Sequence, residues 1–94
     1  MTIKQIKHIR SELGWSQAQL ADYMNISNAL VGQWETGVRK PNEIHTRILN
    51  ELESRLNRMQ SDKKKQKFAN DLANLALGGG IIALIVWLFK DEFS

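Results

Sequence analysis

Residues 16–37 read SQAQLADYMNISNALVGQWETG, and the spacing of caps and apolar residues in this stretch decides the fold. Ser16 is a natural N-cap, because its hydroxyl can accept a hydrogen bond from an amide that the first helical turn leaves unpaired. Leu20, Ala21 and Met24 follow on one face of a helix of about two turns. Asn25 is among the few non-glycine residues that tolerate the left-handed backbone of a tight interhelical turn. Ser27 caps the next helix, whose buried side is Val31 and Trp34 while Asn28, Ala29, Gly32 and Gln33 occupy other faces, and Gly37 ends it. The reading is two short helices joined by a tight turn, the second with small and amide-bearing side chains outward.

Upstream, Ile3, Ile6, Ile9 and Leu13 recur at helical steps with Lys4, Lys7 and Arg10 between them, and Gly14 stops that helix. Downstream, Pro41 at a first-turn position, with Glu43 nearby, opens a fourth helix. Its apolar positions are Ile44, Ile48, Leu49, Leu52, Leu56 and Met59. Leu49, Leu52, Leu56 and Met59 have coiled-coil spacing, but Lys63 and Gln66 occupy the next two seam positions, so a coiled coil would be brief. Packing on the first three helices serves the same residues equally well. Ser61–Lys67 has no apolar residue and four lysines, and reads as a linker or a solvated helix turn. No repeat is visible and no strand-period alternation is sustained before residue 80. The fold class expected is all-α, a compact domain of four to five helices over residues 1–58, a basic linker at 59–67 and an apolar segment at 68–94.

Ninety-four residues allow one small domain with an appendage. The formal net charge of +3 conceals a division: residues 1–67 hold 12 basic and 7 acidic side chains, whereas residues 68–94 hold one basic and three acidic. Zero cysteines remove disulfides and thiolate chemistry, and His8 and His45 have no second ligand at metal spacing, so neither metal nor cofactor is expected. The start, MTIKQIKHIR, has no apolar run of the secretory kind, and a cytoplasmic domain is expected. Gly78-Gly79-Gly80 lacks the context of a phosphate loop, and no nucleophile signature is present. No enzyme activity and no small-molecule ligand follow from the sequence.

The Ser-Gln opening at Ser16-Gln17, Leu20-Ala21, the Trp34-Glu35-Thr36-Gly37 ending and Arg39-Lys40-Pro41 fall in register at once. Together they resemble the phage-repressor and Cro-like, XRE-type helix-turn-helix family over roughly residues 3–56. The resemblance implies a prokaryotic or phage transcriptional regulator that binds a pseudo-palindromic operator as a homodimer, with double-stranded DNA as partner. By position in the family pattern, Asn28, Ala29 and Gln33 would face base edges with Leu30 close by. Asn and Gln pair bidentately with adenine, and Ala and Leu contact a thymine methyl. Gln17, Thr36, Arg39 and Lys40 would hold phosphates. Arg10 and Glu35 would form a structural ion pair, and Trp34 would be core.

Residues 72–89, LANLALGGGIIALIVWLF, carry no charge and 14 apolar side chains. As one helix they would reach about 27 Å, near the roughly 30 Å hydrocarbon core of a bilayer. Lysines precede the stretch and Asp91 and Glu92 follow it, in the sense of the positive-inside rule. Asn74 and the three glycines weigh against a membrane helix. Leu72, Leu75, Ile81, Ile82, Leu84, Ile85, Trp87 and Leu88 are accordingly expected either in a membrane helix or in a dimer interface. Two other readings use the same fold: a membrane-tethered adaptor that binds protein, and an antitoxin whose tail covers a toxin.

Overall fold

Thr2 begins the first helix by a reciprocal cap: its hydroxyl accepts from the Gln5 backbone N–H, and the Gln5 side chain accepts from the Thr2 N–H. Ser16 and Gln19 repeat the device at the second helix. The computed structural model describes residues 1–93, and among these every regular element is an α-helix. They are α1 (Ile3–Leu13), α2 (Gln17–Met24), α3 (Asn28–Thr36), α4 (Glu43–Arg58), α5 (Asp62–Leu88) and α6 (Lys90–Phe93). Gly14, Asn25 and Gly37 close the first three in the left-handed conformation. Asn25, with φ 56°, holds the turn between α2 and α3.

α4 starts at Glu43, two residues beyond the proline that was expected in its first turn. Asn42 is the N-cap, because its side-chain oxygen accepts from the His45 N–H at 2.8 Å, a bond that Pro41 has no group to make. Ser61 caps α5, so of the two readings of Ser61–Lys67 the structure takes the helix turn. Lys65 there pairs with Glu12 of α1 at 3.0 Å. Ile6, Ile9, Leu20, Met24, Val31, Trp34, Ile48, Leu49 and Leu52 fill the centre between α1 and α4.

α5 is long and apolar enough to cross a membrane by length and composition. It is not straight. A straight helix of its 27 residues would be about 40 Å long, whereas the longest extent of the whole fold is 35 Å. The helix breaks at Gly80 (φ 67°, ψ −160°), and the chain doubles back until the Trp87 ring lies 5.9 Å from that of Phe68. The first arm, residues 62–79, lays Phe68, Ala69, Leu72 and Ala76 against α1 and α2. The second arm, residues 81–88, buries Leu84 and Leu88 toward α4. Arg55 of α4 donates to the Leu88 carbonyl at 2.7 Å and sets its guanidinium over the Trp87 ring. Leu72, Leu84 and Leu88, expected in a membrane or a dimer contact, thus lie in the core of their own domain.

The three glycines do three different things. Gly78 faces open space, a side chain at Gly79 would strike the Ala83 Cβ at 2.7 Å, and Gly80 occupies a backbone region that is essentially glycine's alone. Gly80→Ala is therefore expected to lower stability by about 1–3 kcal/mol, while Gly78→Ala leaves it equal or up to about 1 kcal/mol higher through helix propensity. Urea unfolding of the two variants checks this; equal midpoints would show that the bend does not depend on Gly80.

Candidate nucleic-acid interface

Asn28, Ala29, Gly32, Gln33 and Thr36 are spaced one, three, one and three residues apart, which sets them in one stripe along α3. Asn28, Ala29 and Thr36 are exposed, and Gly32 and Gln33 are partly so. The opposite side of the helix, Val31, Trp34 and Glu35, is buried. The outward stripe therefore presents two carboxamides, a methyl, a hydroxyl and a position with no side chain. Gly32 was absent from the residues expected to read bases, although its spacing of four from Asn28 already sets it between them. Leu30 is half-buried and packs against the core, which turns it away from the centre of the stripe.

α3 is held in position by one carboxylate. Glu35, 4% exposed, accepts from Arg10 Nε at 2.8 Å on one oxygen and from Arg10 Nη2 at 3.0 Å on the other. The second oxygen also accepts from Gln17 Nε2 at 3.2 Å. Arg10 Nη1 reaches the Trp15 carbonyl at 3.0 Å. A bidentate guanidinium pair fixes orientation as well as distance, so α1, the start of α2 and α3 are locked through a single group. Burial works against the Glu35 charge, but the hydrogen bonds from Arg10 and Gln17 and the nearby charges of Arg10 and Lys7 outweigh it. The carboxyl is held below its ordinary range.

The remaining expected contacts lie around this helix. Gln17 is half-buried at the first position of α2, and its amide is engaged with Glu35. Thr36 is exposed and donates its hydroxyl hydrogen to the Gly32 carbonyl at 3.0 Å, leaving oxygen lone pairs outward. Arg39 and Lys40 are exposed in the loop after α3, and the Arg39 backbone N–H closes that loop onto the Gln33 carbonyl at 3.2 Å. His45 is half-buried, with its ring 5.5 Å from that of Trp34.

Two helices, a left-handed turn at Asn25, and an outward amide stripe clamped from beneath are what a helix-turn-helix requires. A family model described as Helix-turn-helix matches residues 6–45. Over these residues the chain is similar to XRE-type helix-turn-helix domains. Domains of this family are the DNA-binding part of transcription regulators, and the family is not one of enzymes. No curated protein and no solved structure gives a significant match. The match ends within α4, so the Gly80 hairpin lies outside the helix-turn-helix domain while packing on it.

Proposed function

We propose that this chain is a sequence-specific transcriptional repressor that binds a pseudo-palindromic operator as a homodimer and acts by occluding it. α3 enters the major groove, which at about 12 Å wide admits one helix. Asn28, Ala29 and Gln33 face base edges across the Gly32 gap, with Leu30 at the margin. Gln17, Thr36, Arg39 and Lys40 lie toward phosphates, which set register without reading sequence. Residues 1–58 are the reading unit, working in the cytoplasm, and the chain from 59 onward is its support. The observation that carries this reading is the α3 stripe, exposed and free of bulky or acidic side chains, on a helix whose other face is buried.

The test is selection of bound duplexes from a random pool with the full-length chain, followed by the same selection with Gln33→Ala. The wild type is expected to return a two-fold related sequence with A·T pairs at the positions under Asn28 and Gln33. Gln33→Ala is expected to weaken binding to that sequence by about 1–3 kcal/mol and to relax one base pair in each half. An unaltered base profile would remove Gln33 from the reading set, and enrichment of no sequence would overturn the function.

A further inference from the structure

Residues 81–88, IIALIVWL, form a helical arm without one polar side chain. Only Leu84 and Leu88 are buried, while Ile82 is 71% and Val86 52% exposed on the outer side. Ile81, Ile85 and Phe89 are half-buried and line shallow clefts shared with Ile44, itself 56% exposed at the start of α4. One of these clefts, about 160 Å³, lies between Ile44, Ile48, Ile85 and Phe89. Arg47 and Glu92 stand at its edge, paired at 3.0 Å. A helix that is apolar all round belongs inside a structure, and a continuous exposed apolar patch with a charged border marks an interaction surface.

We propose that a second copy of this chain covers this face, with Ile82 and Val86 of each copy seated against Ile44 and Ile85 of the other. The inference rests on the operator-binding reading, which needs two identical readers held together. Three observations select this occupant. The ridge of Ile82 and Val86 and the cleft beside it occupy one surface, so a two-fold axis brings each ridge to the other's cleft. The border carries both signs of charge, Arg47 and Glu92, and is therefore complementary to itself in the reversed direction. The other exposed large apolar residues are Ile3 on α1, Val38 after α3 and Leu77 on the first arm of α5, whereas Ile44 lines these clefts and Ile82 and Val86 adjoin Ile81 and Ile85, which line them. A lipid bilayer fits less well. The arm of eight residues is about 12 Å long against a core of about 30 Å, and spanning would require straightening Gly80 and parting Arg55 from Leu88.

Sedimentation of the full-length chain over a series of micromolar concentrations tests the inference, beside the variant Ile82→Glu/Val86→Glu. The wild type is expected to be a dimer, and the variant to raise the dimer Kd by at least about a hundredfold with an unchanged circular dichroism spectrum and a cooperative melting curve that no longer shifts with protein concentration. Ile44→Glu, placed on α4 instead of the arm, is expected to act the same way and serves if the double variant fails to fold. A monomeric wild type, or a dimer indifferent to both changes, overturns the inference. So does a monomer that floats with phosphatidylglycerol vesicles, which would assign the face to lipid. Binding of the same proteins to a duplex with one selected half-site separates the two readings. Unchanged half-site binding by the monomeric variant supports both, whereas a dimer that binds no DNA leaves this inference standing and overturns the function.

Discussion

Replacing Glu35 with glutamine is expected to lower stability by about 3–5 kcal/mol, toward the lower end because Arg10 is one-quarter exposed. The carboxamide keeps the shape but not the charge, and it offers one acceptor where Arg10 and Gln17 engage two oxygens. Arg10 is left as a largely buried cation with no anion to pair with, facing that one neutral acceptor and the Trp15 carbonyl. The same reasoning predicts a dependence on pH. Folding holds the Glu35 carboxyl below its unfolded value of about 4.3, so as pH falls the unfolded chain takes up this proton first. The stabilisation is complete above the unfolded value and is lost as pH descends through the folded one. Urea midpoints measured from pH 7 downward should therefore fall less steeply for Glu35→Gln than for the wild type, the two curves converging in acid. Parallel curves would mean that the pair is not a source of the acid sensitivity. Arg10→Met combined with Glu35→Leu should be less damaging than either change alone, since it leaves no buried charge without a partner.

This network also sets the precision of the α3 stripe. Its groups come from α1, α2 and α3, so loosening it lets the stripe rotate relative to the loop that carries Arg39 and Lys40. Base edges and phosphates are then no longer reached from one rigid body, and sequence preference should decline before affinity for polyanions does.

How much of this was legible in the sequence depends on how local the determining contact is. Ser16, Ser27, Gly14, Asn25 and Gly37 act within a few residues of themselves, and the end of α1 and both ends of α2 and α3 follow from them. The stripe on α3 is also local, a matter of helical spacing. Asn42 shows where a local signal competes with another: proline and asparagine both favour a helix start, and the side-chain acceptor prevails. The hairpin was not legible. Residues 81–88 are apolar in every direction, so no period distinguishes an inward face. The three glycines are identical as letters, and only the backbone at Gly80 separates the one that reverses the chain from its neighbours. The tie from Gln17 to Glu35 joins positions 18 residues apart, and no spacing rule brings those two side chains together.

Leu72→Ala is the decisive probe of whether the hairpin is an appendage or part of the domain. Leu72 has no exposed surface, and truncating it is expected to destabilise the chain by about 2–5 kcal/mol. Leu77→Ala, on the exposed side of the same arm, should shift stability by no more than about 0.5 kcal/mol. The tryptophans tell which part unfolds. Trp15 and Trp34 report on the helix-turn-helix, and Trp87 reports on the second arm, beside Phe68 and Arg55. If the hairpin is one unit with the domain, single-tryptophan versions unfold at one urea concentration, and Leu72→Ala moves all of them together. An appendage would give an early transition at Trp87 alone. Phe68, Ala69, Leu72, Ala76, Leu84 and Leu88 are all buried against helices that precede them, so ending the chain at Lys67 uncovers the partners of six core residues. At about 1.5–3 kcal/mol for each large apolar side chain, that loss rivals the roughly 5–15 kcal/mol by which small domains are stable. Residues 1–67 alone should therefore bind DNA weakly for want of a folded reader, whatever the role of the missing segment in pairing two copies.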